Sequence, residues 1–123
     1  MRIVVIDDDR LVRDTLLNYL DDDAFDAVGA SDGQKGLDLV AAHHPEVVVT
    51  DILMPNKEGM ETITELKKTY PEIRIVAMSG QNWSGFTSYL DMASRLGAHA
   101  VLAKPFTRKD FIATIMSVTE SVA

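Results

Sequence analysis

The residues best able to do chemistry stand directly behind apolar runs. "IVVI" (3–6) leads into Asp7, Asp8 and Asp9, and "VVVT" (47–50) into Asp51. "IVAM" (75–78) leads into Ser79, and "AVLA" (100–103) into Lys104. Carboxylates sharing one rim repel, and raise one another's pKa, unless a cation sits among them. An all-oxygen cluster that stays partly hydrated suits Mg²⁺, which prefers one or two carboxylates, water and a phosphate. A metal, a lysine and a hydroxyl around carboxylates are what phosphoryl transfer needs. The metal and the ammonium take up charge on the equatorial oxygens, and the hydroxyl donates a hydrogen bond. A carboxylate can itself be the nucleophile, giving an aspartyl phosphate.

These four sets meet only if their strands run parallel and end on one edge. The strands are expected at 2–6, 25–30, 46–50, 73–78 and 98–103. The first, third and fourth are nearly continuous apolar runs, the mark of parallel strands covered on both faces. Helical spacing fills the intervals: Val12, Leu16, Tyr19 and Leu20; Leu37, Val40 and Ala41; Met60, Ile63 and Leu66; Phe86, Leu90 and Ala93; Phe111, Ile115 and Val118. Asp9, Asp32 and Thr107 each precede a helical pattern and can cap it. "HHPE" and "TYPE" stop helices with a proline. Five βα units give an α/β fold, a (βα)5 doubly wound parallel sheet with right-handed crossovers. Ligands of such sheets bind outside the carboxyl ends of the strands. The second strand ends in Gly29 and Ala30 and brings no functional group there. In the flavodoxin-like order 2-1-3-4-5 the other four strands are neighbours and strand 2 is an outer edge. That order is borrowed from the fold class.

Composition narrows the setting. A chain of 123 residues suggests one domain, 1–123, with a core large enough to need no staples. The absence of cysteine excludes disulfides and thiolate metal sites and fits a cytoplasmic location. A net charge of -7 argues against a nucleic-acid surface and suits cations or basic protein faces. No apolar run approaches a membrane span, and Ile3–Ile6 is too short for a signal-peptide core.

Together "VVIDDD", "VVVTDILMPNKEG", "IVAMSG" and "VLAKPF" resemble the receiver domain of two-component response regulators, over the whole chain. Each piece is weak alone; four in this order and spacing are specific. The resemblance implies Asp51 as phosphoacceptor, Asp8 as a direct Mg²⁺ ligand and Asp7 as a second acid acting largely through water. It implies the Leu53 backbone carbonyl as a further ligand, Ser79 as the switch hydroxyl and Lys104 as its phosphoryl-pairing partner. It also implies a cis Lys104–Pro105 bond. The expected cofactor is Mg²⁺. The expected partners are a sensor histidine kinase or histidine phosphotransfer protein and a downstream protein target, with no direct nucleic-acid or membrane contact. The chain is expected to catalyse only its own phosphorylation and dephosphorylation.

The sequence departs from the family in three places. Val101 occupies the position of the switch aromatic, which puts the usual ring-to-surface coupling in doubt. The segment from Ser79 to Lys104 is a few residues longer than usual, and its glycines suggest a loop before the fourth helix. Lys57 stands where many relatives carry methionine and reads as a solvated lysine, with a second cation near the phosphate as the alternative.

Other features have blander readings. Asp9 reads as a helix cap and Asp21–Asp23 as a solvated turn. His43 and His44 close the second helix, and His99 has no obvious partner. Trp83, Phe86 and Tyr89 read as packing and partner surface. A haloacid-dehalogenase-type phosphatase would take Asp7 and Asp9 as its Asp-x-Asp. It lacks the later acidic motif, since only "KPFTRKD" follows Lys104, and it leaves Asp51 idle. A receiver-like module that is never phosphorylated is the other alternative, against which the intact acids, serine and lysine speak. The ending just past the fifth helical pattern suits a stand-alone receiver or one within a larger protein.

Overall fold

A computed structural model of the protein describes residues 1–52, 58–80 and 94–120. Five strands form one sheet: β1 (Arg2–Ile6), β2 (Asp26–Ala30), β3 (Val47–Asp51), β4 (Arg74–Gly80) and β5 (Ala100–Lys104). All pairings are parallel, in the order β2-β1-β3-β4-β5. Among the described residues the longer helices are α1 (Arg10–Tyr19), α2 (Gly33–His43), α3 (Glu58–Thr69) and α4 (Arg108–Glu120). The helical pattern over 86–93 lies outside the described residues.

Strand chemistry explains the order. β1, β3 and β4 are buried along nearly their whole length and take the centre. β2 and β5, partly exposed along most of their length, take the edges. Alternate residues feed two cores, because successive side chains point to opposite faces. Val4, Ile6, Val48, Ile75 and Ala77 pack with Val40 of α2 and with Ile63 and Leu66 of α3. Ile3, Val5, Val47, Val49, Val76 and Met78 pack with Leu16 of α1 and with Phe111, Ile115 and Val118 of α4. Helices thus cover both faces, and each fully buried aliphatic or aromatic side chain contributes about 1.5–3 kcal/mol.

The caps are local. The Asp9 carboxylate accepts from the amides of Leu11 (2.9 Å) and Val12 (3.4 Å). Asp32 accepts from Lys35 N–H at 2.8 Å, and Thr107 Oγ1 from Asp110 N–H at 3.1 Å. His44 closes α2 in the left-handed region (φ 50°), its amide donating to Val40 O.

Three strand ends, those of β3, β4 and β5, run further than hydropathy implies. β3 includes Asp51, which pairs with Met78, and β4 continues to Gly80, which pairs with Lys104. β5 starts late, at Ala100, because Gly97 (φ 117°) turns the chain just before it. His99, which the sequence left without a partner, has one. Its Nδ1 accepts from Ile75 N–H at 3.0 Å, while its own amide donates to Ile75 O at 2.7 Å. The imidazole stands where a regular ladder would supply a carbonyl.

Candidate functional site

The carboxyl ends of β1, β3 and β5 converge. Asp7 directly follows β1, Asp51 ends β3 and Lys104 ends β5. The Lys104 ammonium lies 3.0 Å from Asp7 Oδ2 and 3.0 Å from Asp51 Oδ2, bridging the two acids. Both carboxylates are buried, with Asp7 at 0% and Asp51 at 6% exposure, and Asp8 stands exposed beside them. Asp7 Oδ1 accepts from Asp9 N–H at 2.9 Å, so both its oxygens are engaged. Asp9 itself turns to cap α1.

The pair is electrostatically unequal. Burial raises the Asp7 carboxyl above its ordinary value, although the Asp9 amide and Lys104 pull it back. Burial alone would lower the Lys104 ammonium, but Asp51 and Asp7 outweigh it and raise the lysine. Lys104 therefore stays charged beside the two carboxylates.

One carboxylate oxygen each from Asp7, Asp8 and Asp51 can lie within 4.8 Å of one another. Three formal negative charges and one ammonium leave a deficit of two positive charges. Oxygen-only donors with that deficit fit a hard divalent cation such as Mg²⁺.

Several groups hold the constellation. Phe106 stacks on Phe111 (5.8 Å between centroids, 14°), and Tyr19 packs on the same ring at 6.0 Å. That aromatic cluster anchors the turn after Lys104 to α1 and α4. The Lys104–Pro105 peptide is cis. Ser79 lies one residue past Met78, the partner of Asp51, and is fully buried, its hydroxyl donating to Gly80 O at 3.2 Å. Val101 is 38% exposed on β5. Asp21–Asp23 form an exposed turn in which Asp22 Oδ1 accepts from Ala24 N–H. Leu53, Lys57, Trp83, Phe86 and Tyr89 lie outside the described residues.

Sequence reasoning overlooked Gly59 and Arg13. A Cβ at Gly59 would overlap Asp51 O and lie 2.5 Å from Ile52 Cα, so the first turn of α3 rests on the backbone carrying Asp51. The signal was available as a glycine in the first turn of a helix, where it costs stability. Arg13 Nη1 donates to Asp7 O at 2.8 Å, a bond to backbone that leaves no trace in the sequence.

The model of the response regulator receiver domain matches residues 3–116. The chain belongs to the response regulator receiver domain family. It is 33% identical over 119 residues to the response regulator MprA of Mycolicibacterium vanbaalenii, covering 96% of this chain and 50% of that protein. The chain thus spans about half the length of the curated relatives it matches. The receiver domain of NtrX from Brucella abortus superposes with a TM-score of 0.88 at 28% identity, covering 96% of this chain and 98% of that one. A response regulator receiver domain from Clostridium thermocellum gives 0.83 at 28% identity, over 98% and 95% of the two chains. The haloacid-dehalogenase reading is set aside by this membership and by Asp9, whose carboxylate caps α1. Among the described residues, no helix of this receiver is long and apolar enough to cross a membrane.

Proposed function

We propose that this receiver takes a phosphoryl group on Asp51 from a phosphohistidine of a sensor histidine kinase or histidine phosphotransfer protein. The observation that carries the reading is the Lys104 ammonium held 3.0 Å from both Asp7 and Asp51. An Asp51 carboxylate oxygen attacks phosphorus, the phosphorus–nitrogen bond breaks, and imidazole departs with a solvent proton. Asp7, Asp8 and Asp51 would hold Mg²⁺, with the Leu53 carbonyl as a further ligand. When bound, the ion supplies charge neutralisation on the transferring oxygens. Lys104, already beside the nucleophile, exchanges part of its pairing with Asp51 for a phosphoryl oxygen. Ser79 leaves the Gly80 carbonyl to donate to the same group.

These two movements bias a two-state equilibrium in the segment before β5, in β5 itself and in α4, which together form the surface read by a downstream protein. With Val101 in place of an aromatic ring, the backbone of β5 carries the coupling. Attack of water on the acyl phosphate then returns the carboxylate and inorganic phosphate. The receiver catalyses no other reaction, works in the cytoplasm and acts through protein contacts rather than nucleic acid or membrane.

Intact mass after incubation with acetyl phosphate and Mg²⁺ tests this. One labile phosphate on the parent is expected, absent from Asp51→Asn and from an EDTA control. A folded parent that takes no phosphate from this donor or from a phosphorylated histidine phosphotransfer protein would overturn the proposal in favour of a fixed interaction module.

A further inference from the structure

Asp8 is placed by its backbone. It is exposed, in the turn between β1 and α1, whereas Asp7 beside it is buried with both carboxylate oxygens engaged. The direction in which Asp8 leaves that turn depends on the peptide joining it to Asp7. Two bonds hold the backbone there. The Asp7 amide donates to Ala30 O on β2 at 3.1 Å, and the Asp7 carbonyl, part of the 7–8 peptide itself, accepts from Arg13 Nη1 at 2.8 Å. A guanidinium donor makes the second bond charge-assisted and directional.

Arg13 reaches that carbonyl across β2. A Cβ on Gly29 would stand 3.1 Å from Arg13 Cγ and Cδ and 3.0 Å from Leu17 Cδ1. Glycine inside a strand often marks the close approach of another group, and here that group is the arginine stem. The strand that brings no functional group to the rim thus serves it twice, through the Ala30 carbonyl and through the space above Gly29.

We propose that Arg13 is a positioning residue for the divalent-cation site, fixing the 7–8 peptide and with it the direction of the Asp8 carboxylate. The inference rests on the reading that Asp7, Asp8 and Asp51 bind Mg²⁺. The sign of the effect separates positioning from simple electrostatics. Removing a positive charge near a cation site strengthens cation binding if charge alone matters. Losing the positioning bond weakens it.

The test is calorimetric titration of the whole chain with MgCl₂, with melting temperatures alongside. Arg13→Met keeps the stem over Gly29 and loses the bond. It is expected to bind Mg²⁺ about tenfold more weakly, the lower end for a group that orients a ligand, with a melting temperature near the parent's. Arg13→Lys, which has the charge without the planar fork, falls between. Gly29→Ala leaves Arg13 in place and crowds its stem, so it also weakens binding, and it carries the test if Arg13→Met does not fold. Mg²⁺ affinity in Arg13→Met equal to or tighter than the parent's would overturn the inference alone, as would unchanged affinity in a folded Gly29→Ala. A folded parent that binds no Mg²⁺ would overturn the inference and the underlying reading together.

Discussion

Gly59→Ala adds one methyl group against the backbone of Asp51, the proposed phosphoacceptor. Its Cβ would stand 2.5 Å from Ile52 Cα, short of the optimal carbon–carbon separation by about 1 Å. The β3 side cannot yield, because Asp51 pairs with Met78 and the Ile52 amide donates to Met78 O at 3.0 Å. The first turn of α3 must lift instead, and α3 carries Ile63 and Leu66 into the core. Such overpacking costs about 1–3 kcal/mol. Replacing glycine in a helix by alanine returns roughly 0.5–1 kcal/mol. The difference spans roughly 0–2.5 kcal/mol and centres near about 1 kcal/mol, a fall in melting temperature of roughly 4–5 °C for a domain of this size. Because the clash falls on the backbone that aims Asp51, the rate of modification by acetyl phosphate should drop by about tenfold or more, within the range for a misplacement of about 1 Å. Calorimetry and time-resolved intact mass measure the two effects. A variant as stable as the parent and phosphorylated at the same rate would refute the reasoning, since helix propensity would then have outweighed the contact.

Lys104→Met removes the ammonium shared by two buried carboxylates and should lose about 3 kcal/mol in urea unfolding without divalent cations; Mg²⁺ should restore part of it, and a loss indifferent to Mg²⁺ would contradict the charge reading. Asp7→Asn should act in the opposite direction. Burial raises the Asp7 carboxyl above 3.8, so as pH rises past that value the unfolded chain releases its proton first and the parent loses stability that the variant keeps. The variant should therefore be the more stable at neutral pH while binding Mg²⁺ more weakly, and a destabilised Asp7→Asn would count against the assignment. His99 is held below its ordinary 6.5 by burial, then by Lys67 and Arg74. As pH falls below 6.5 the unfolded chain takes up the proton first, so stability declines there; urea midpoints between about pH 8 and 5 should show a slope that His99→Asn, which has an acceptor but no titration in this range, reduces.

The central strands were legible because burial on both faces leaves an unbroken apolar run, as in Ile3–Ile6 and Val47–Val49. The caps Asp9, Asp32 and Thr107 were legible because each bonds an amide two or three residues along. Strand ends were not, since hydrogen bonds decide them: Asp51 and Lys104 belong to their strands through pairing with Met78 and Gly80. The convergence of Asp7, Asp51 and Lys104 followed from one topological rule, that parallel strands deliver their carboxyl ends to one edge. Gly59 showed only as a costly glycine in a helix, without what it touches, and the contributions of Arg13 and His99 left no trace, for a common reason. Each acts on a backbone atom, and a backbone atom looks the same at every position of a sequence.

Lys104 lies 97 positions from Asp7 and 53 from Asp51 in the chain, and their meeting requires β1, β3, β4 and β5 to be assembled side by side. On the ribosome the acidic residues emerge long before the lysine. A nascent or truncated chain lacking β5 carries both aspartates without the ammonium that bridges them. The proposed acceptor site is thereby conditional on a closed sheet, since it is assembled only when β5 has joined β4.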